Sequence, residues 1–223
     1  MVLHHRWLTL LVITFIATLV FIFFFLRLRP VWTPDKDKGE TTSTITTVDT
    51  PTITFVDPKK GATEPQVTIV EFGDFQCQPC KDLAAALDIV IRTEPGVQVI
   101  WKDLPNESLH SLAVSAAIAA RCAGSQGKFW EFHNSIFNNQ AVLSETRLTQ
   151  ISTEVGLDTE KFTECYTNQE TLPLVKKDFD EGAALQITAT PILFIGKERI
   201  SGALSAEEIL TIVRQQMSTA TIK

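Results

Sequence analysis

The sequence lacks the signatures of several common classes of enzyme. Its 223 residues contain no phosphate-binding glycine loop, no Ser-His-Asp arrangement in a recognisable context and no internal repeat. Cysteine is also scarce. Four residues are too few for a small disulfide-built protein, and a chain of this length can bury a sizeable core without one. We therefore expect the four thiols to serve metal binding, redox chemistry or a local cross-link.

Acidic residues are absent from positions 1–29, which carry Arg6, Arg27 and Arg29. The rest of the chain, residues 30–223, holds a formal net charge of −9. A nucleic-acid partner would require a clustered basic face, so this acidic body argues against nucleic-acid binding.

An uncharged apolar run of twenty residues extends from Trp7 to Leu26. Twenty helical residues cover about 30 Å, the thickness of the hydrocarbon core of a bilayer. A cleaved signal peptide is the alternative, but its apolar region is usually about 7–15 residues long and ends in small residues. Here the run ends in Arg27-Leu28-Arg29-Pro30, so we predict an uncleaved transmembrane anchor in residues 1–29. Basic residues on both sides leave its orientation open.

The polar, Thr-rich residues 30–51 are predicted to form a flexible tether. Beyond it, residues 52–56 alternate between polar and apolar and are interpreted as a first strand. Residues 67–72 are predicted to form a buried strand. A helix is predicted over residues 77–92, and a further strand over residues 97–101. Strand, helix and strand in this order predict a parallel pair with a right-handed crossover.

Residues 106–186 carry no strand signals and are predicted to form a helical insert, whose first helix spans 109–123. Strands return as a hairpin at 191–195 and 198–200. Ser205, followed three residues later by Glu208, fits a capping box for a last helix. The predicted domain covers residues 52–217 and leaves a short C-terminal tail at 218–223.

The motif Cys77-Gln78-Pro79-Cys80 lies between a predicted buried strand and the first turn of a helix. Unpaired N–H groups and the helix dipole at that position stabilise a thiolate and lower the pKa of Cys77, which makes it a nucleophile near neutral pH. Cys80 lies one turn further on the same helix and can resolve a mixed disulfide formed by Cys77.

Half of a zinc site is the alternative interpretation of the motif. It would need a second ligand pair at matching spacing, whereas Cys122 and Cys165 are isolated and His110 and His133 form no short pair. We therefore predict redox chemistry without a metal or other cofactor, and we interpret the two histidines as ordinary core or surface residues.

Three segments resemble the DsbA-type thiol:disulfide oxidoreductases, which have a thioredoxin fold with an inserted helical domain. These segments are Val70–Cys77, Gln126–His133 and Thr190-Pro191 with the following Phe194-Ile195-Gly196. The resemblance covers about residues 53–217 and implies an α/β, thioredoxin-like fold, preceded here by the predicted transmembrane helix.

The resemblance also implies roles for individual residues. Cys77 matches the exposed nucleophile of the family and Cys80 its resolving cysteine. Pro191 matches a cis-proline that would bring the Thr190 backbone beside Cys77, and both would line a substrate groove together with Gln78 and Pro79. Glu71 occupies the place of a buried acid beneath the disulfide, where it would exchange protons with Cys80. We interpret Lys102, on the adjacent strand, as a possible partner of Glu71.

Cys122 and Cys165 match a family pair that forms a structural disulfide between two helices of the insert. The alternative is two buried free thiols, as in a cytosolic protein. The predicted anchor favours the disulfide, since such bonds persist outside the cytoplasm.

The sequence predicts a single-pass membrane protein with an extracytoplasmic catalytic domain that exchanges its Cys77–Cys80 disulfide with thiol-bearing proteins. An oxidase, recycled by a redox partner, is the leading interpretation. A disulfide reductase is the alternative, because Pro79 stands where strong oxidases of the family often have histidine. A non-catalytic anchored chaperone or assembly factor is an alternative of another class. The tether offers no obvious dimerisation domain, so a monomer is expected and an isomerase is not.

Overall fold

The computed structural model describes Thr18, Phe21 and residues 50–220, and the last of these ranges belongs to one compact unit. No helix among these residues is long and apolar enough to cross a bilayer. The predicted anchor, apart from Thr18 and Phe21, and nearly all of the predicted tether lie outside the described residues.

Within residues 50–220, the strands form one mixed sheet in the order β1-β3-β2-β4-β5. Their bounds are β1 Lys59–Gly61, β2 Val67–Gly73, β3 Val97–Asp103, β4 Ile192–Ile195 and β5 Glu198–Ser201. The predicted parallel pair β2–β3 and the predicted hairpin β4–β5 are confirmed. Strands β2 and β3 are buried along nearly their whole length because helices cover both faces of the sheet.

Besides a short 3-10 helix at Gln140–Val142, seven α-helices are described in the same part of the chain. They are α1 Gln78–Thr93, α2 Ala113–Gly124, α3 Phe129–Asn138, α4 Glu145–Glu154, α5 Thr159–Thr167, α6 Leu172–Ala184 and α7 Ala206–Ala220. Helices α2 to α6 lie between β3 and β4 in the sequence, so they form the predicted helical insert. The capping box is also confirmed, since Ser205 N donates to Glu208 Oε2 and Glu208 N donates to Ser205 Oγ.

Three local predictions differ from the structure. Residues 52–56 are not a strand; the first strand is Lys59–Gly61, where the chain pairs antiparallel with β3. Helix α2 begins at Ala113 rather than at position 109, because the preceding loop is bonded to the turn before Cys77. Helix α7 continues to Ala220, into the predicted tail.

The two faces of the sheet bury separate apolar clusters. One face packs against α1 and α7 through Ile69, Val99 and Leu193, and the other packs Val70 and Ile100 against the end of α6. Alternate residues of β2 and β3 therefore point to opposite faces. The polar side chains of β2 and β3 are divided between the two faces in the same way, and only one set lies on the side of α1.

Candidate active site

The Cys77–Cys80 pair lies at the start of α1, where the chain turns sharply after β2. The turn is closed by a hydrogen bond from Cys77 N to the carbonyl oxygen of Asp74. Cys77 caps the helix, since its Sγ accepts the N–H of Cys80 at 3.2 Å. The two cysteines form a disulfide, in which Cys80 is fully buried and Cys77 is 4% exposed. Cys77 is therefore the less buried member of the pair.

Two exposed residues, Gln78 and Pro79, separate the cysteines and form the first turn of α1. Pro79 occupies a position where the helix has no acceptor for its N–H, so the helix accommodates it without losing a hydrogen bond. The predicted groove residues Gln78 and Pro79 thus lie at the surface beside the disulfide.

A second segment, which precedes the neighbouring strand β4, reaches the disulfide. The Thr190–Pro191 peptide bond, just before β4, is cis. The carbonyl oxygen of Thr190 lies 3.5 Å from Cys77 Sγ. Because Phe72 on β2 pairs with Ile192 on β4, the end of one strand and the start of the other lie side by side.

Glu71 is 1% exposed and lies two positions before the end of β2. Its Oε1 has no hydrogen-bond partner in the described part of the chain. Burial raises the pKa of Glu71 to about 8; the Lys60 ammonium opposes this rise and the Asp88 carboxylate adds to it. A carboxyl group with this pKa can hold or release a proton near neutral pH.

The prediction that Lys102 pairs with Glu71 is wrong, because Lys102 points to the opposite face of the sheet. Glu71 is aligned with Trp101, so the next residue of β3 faces away from it. The Lys102 ammonium instead contacts Asp57 Oδ1 at 3.0 Å, Glu181 Oε2 at 3.0 Å and Asp178 Oδ1 at 3.3 Å. Lys102 therefore belongs to a buried ion cluster behind the sheet.

Lys60 is the cation on the same face of the sheet as Glu71. It pairs with Val99 on β3, two residues from Trp101, and alternation directs both side chains to the α1 side. The Lys60 ammonium bonds Asp88 on α1 at 2.6 Å and lies 4.4 Å from the centre of the Trp130 ring.

The structure adds Asp74 and Gln140, which sequence reasoning missed. The buried Asp74 carboxylate accepts the backbone N–H of Gln76 at 2.7 Å and that of Asn106 at 2.8 Å, and it pairs with His110 Nδ1 at 2.8 Å. Gln140 donates its amide to the carbonyl oxygens of Phe75 and Cys77. The acidic residue beside the motif was the only local signal, and nothing in the sequence marked Gln140.

His133 is fully buried in a cage of aromatic rings from Phe75, Trp101, Trp130 and Phe137. Burial lowers the pKa of His133 to about 3. The charge of Lys60 also lowers this pKa, and a hydrogen bond with Asn134 raises it. The imidazole is therefore neutral, and its buried Nε2 has no hydrogen-bond partner in the described part of the chain.

Cys122 and Cys165 form a disulfide that joins α2 to α5 inside the insert. Cys122 is fully buried and Cys165 is 7% exposed. In residues 50–220, Thr18 and Phe21, no cluster of three or more His, Cys, Asp or Glu side chains could hold a metal ion.

The chain combines a thioredoxin-like α/β fold with a CxxC disulfide at the start of α1. A family model described as Thioredoxin matches residues 55–215, and the chain belongs to that family.

Solved structures of related proteins share this fold. A thioredoxin-like oxidoreductase from Silicibacter pomeroyi DSS-3 is 25% identical, with a TM-score of 0.65, over 76% of this chain and 95% of its own. A periplasmic thioredoxin-like protein from Salmonella enterica serovar Typhimurium is 25% identical, with a TM-score of 0.61, over 73% of this chain and 91% of its own. The thiol-disulfide exchange protein alpha-DsbA2 from Wolbachia pipientis shares the fold at 21% identity and a TM-score of 0.66, over 72% and 87%.

Curated relatives are longer proteins. The Na(+)/H(+) antiporter NhaA 1 of Salinispora arenicola is 29% identical over 157 residues, which are 70% of this chain. The chain spans about a quarter of the length of the curated relatives it matches.

Proposed function

We propose that this protein is a membrane-anchored, extracytoplasmic oxidase that transfers its Cys77–Cys80 disulfide to thiol-bearing proteins. The observation that carries the proposal is the position of Cys77 Sγ, at the start of α1 and 3.5 Å from the Thr190 carbonyl oxygen. A substrate backbone paired beside Thr190 would hold its own sulfur next to Cys77.

The exchange conserves atoms and electrons in two steps. A substrate thiolate attacks Cys77 Sγ, a new intermolecular S–S bond forms, and the Cys77–Cys80 bond breaks. Cys80 leaves as a thiolate and takes a proton from Glu71. A second substrate thiolate then attacks the substrate sulfur of the mixed disulfide and releases Cys77. The substrate loses two electrons, the protein gains them, and a redox partner of the thiol-oxidising class removes them again.

Three observations support the compartment and the anchor. The disulfide between Cys122 and Cys165 joins two helices of the insert, and such structural bonds persist in oxidising compartments. The apolar run Trp7–Leu26 has the length of a membrane span. The similar protein from Salmonella enterica is described as periplasmic.

Exchange with a reduced protein substrate tests the activity. The full chain should oxidise a dithiol protein, and the Cys77→Ser variant should not. The double variant Cys122→Ser/Cys165→Ser serves as the control for loss of a disulfide in general, and it should still react. Full activity in Cys77→Ser would overturn the assignment.

A reductase is the second candidate, favoured by Pro79 in the third position of the motif. The equilibrium of Cys77–Cys80 with glutathione separates the two directions, because thioredoxin and DsbA differ by about 150 mV in reduction potential. A potential near that of DsbA supports the oxidase, and a potential near that of thioredoxin supports the reductase.

A further inference from the structure

A groove of about 370 Å³ opens beside Thr190. It runs between the loop after β3, residues 104–108, and the segment before β4, residues 187–190. Thr190 lines the groove, and its carbonyl oxygen is the atom that lies 3.5 Å from Cys77 Sγ. One residue of the groove therefore also contacts the sulfur that a substrate must reach.

The two walls of the groove differ in chemistry. One wall combines the side chain of Phe179, which is 46% exposed, with residues 187–190, two of which are threonines. The other wall carries Asn106, Glu107 and Ser108. Glu107 is the single charged residue that lines the groove, and it forms no ion pair within the described residues 50–220.

The polar wall is held in place by the residues around Cys77. Asn106 donates its backbone N–H to the buried Asp74 carboxylate, which also pairs with His110 at 2.8 Å. Leu104 N donates to the carbonyl oxygen of Gly73 at 2.8 Å. Hydrogen bonds thus hold the wall that carries Glu107 against the turn before Cys77. Because this wall is already ordered, binding of a peptide does not have to spend free energy on ordering it.

We propose that this groove selects the sequence around the reactive cysteine of the substrate: an extended segment with a cationic side chain near Glu107 and an apolar side chain on Phe179. The proposal rests on the proposed function. An unpaired carboxylate with no lining cation attracts Lys or Arg and repels Asp or Glu, and the net charge of −9 on residues 30–223 acts in the same direction.

The expected preference is modest, because the Glu107 side chain is exposed and solvent screens it. We expect a two- to fivefold rate difference, about the effect of one exposed ion pair, between otherwise identical peptides with Lys or Ala beside the cysteine. The difference should decrease with rising salt concentration.

Short peptides with one cysteine, activated as a 2-thiopyridyl disulfide, provide the test. The reduced Cys80→Ser chain is used so that the reaction stops at the mixed disulfide. The Cys77 thiolate attacks the peptide sulfur, the bond to thiopyridine breaks, and the released thiopyridone is followed by absorbance. Peptides carry Lys, Ala or Glu beside the cysteine, with Leu or Ser at the next position.

The parent should react in the order Lys, Ala, Glu. Glu107→Gln should remove most of this order, whereas Glu64→Gln, at an exposed site in the β1–β2 connection, should preserve it. Phe179→Ala should reduce the advantage of Leu over Ser by roughly fivefold or less, and Phe55→Ala serves as its exposed aromatic control.

Equal rates for the three peptides, or a preference for Lys that Glu107→Gln leaves intact, would overturn the proposal. The small reagent dithiodipyridine, which cannot fill the groove, separates this outcome from failure of the proposed function. A chain that reacts with the reagent but ignores the peptide sequence retains its activity and lacks the groove specificity. A chain that reacts with neither contradicts both.

Discussion

The carbonyl oxygen of Thr190 lies 3.5 Å from the sulfur of Cys77, although 113 positions separate the two residues in the sequence. The sheet creates this contact, because β2 and β4 are antiparallel neighbours and Phe72 pairs with Ile192. The turn that follows β2 and the segment that precedes β4 therefore meet at one edge. The site consists of two short segments joined by strand register.

Replacement of Glu71 by Gln should change how stability depends on pH. Burial raises the pKa of Glu71 from 4.5 to about 8, so the folded protein keeps a proton that the unfolded chain releases. The stabilisation by this proton is complete below pH 4.5 and is lost as the pH rises through about 8. Urea denaturation of the oxidised protein at a series of pH values should show this loss in the parent and not in Glu71→Gln. Glu64→Gln should follow the parent, and parallel curves for the parent and Glu71→Gln would contradict the assignment.

The same substitution should change the kinetics of the proposed exchange. If Glu71 supplies the proton to Cys80, the rate at which Cys80 leaves should show a step near pH 8. Stopped-flow measurements with a dithiol peptide should find this step in the parent. Glu71→Gln should be slower below pH 8 and lack the step. A step that persists in Glu71→Gln belongs to another group.

Removal of the disulfide between Cys122 and Cys165 should cost stability but leave the reacting pair unaffected. The bond closes a loop with a sequence separation of 43 residues, which corresponds to roughly 4 kcal/mol in the chain-entropy treatment. The double Ser variant should show this loss in urea denaturation. Its equilibrium with glutathione should equal that of the parent, and a changed equilibrium would show that the two disulfides are coupled.

Lys102→Met should destabilise the protein strongly. Burial lowers the pKa of Lys102, but Asp178, Glu181 and Asp57 outweigh it and raise the pKa above its usual value. Loss of the ammonium leaves buried carboxylates without their cation, at an expected cost of about 3–5 kcal/mol in urea denaturation. Lys161→Met removes a cation that is 74% exposed and should cost less than about 1 kcal/mol. Equal losses in the two variants would be inconsistent with the buried cluster.

His133→Phe should make the protein more tolerant of acid. The pKa of His133 in the folded protein is lowered from 6.5 to about 3, so between these pH values the unfolded chain binds a proton that the folded protein does not bind. Stability from this residue is present above pH 6.5 and is lost as the pH falls toward 3. Thermal denaturation between pH 7 and pH 4 should therefore show a smaller decrease for His133→Phe than for the parent. Phe fits the surrounding rings, so the variant should fold.

Sequence patterns predicted the elements whose signals are local. The run Val67–Phe72, the helix start at the Cys77 motif and the pair Ser205 and Glu208 each involve neighbours within a few positions, and the structure has all three features. The prediction of a strand at residues 52–56 was wrong, because the alternation of polar and apolar residues does not show which segment pairs with the edge of a sheet.

The error at Lys102 has a similar origin. Sequence reasoning placed Lys102 on the strand next to Glu71, and β3 is indeed that neighbour. The register aligns Glu71 with Trp101, and a shift of one residue reverses the face of a side chain. The cation that shares the face of Glu71 is Lys60, which comes from the edge strand β1.

The sequence by itself determined the strand–turn–helix that carries the Cys77–Cys80 motif, because hydrophobic run length, capping and helix start are properties of neighbouring residues. The tertiary structure decided what surrounds the motif. The Thr190 carbonyl, the Gln140 amide and the loop tied to Asp74 reach it from segments about 30 to 115 residues away. Their positions depend on strand order and register, which emerge only when the apolar faces of sheet and helices are buried together.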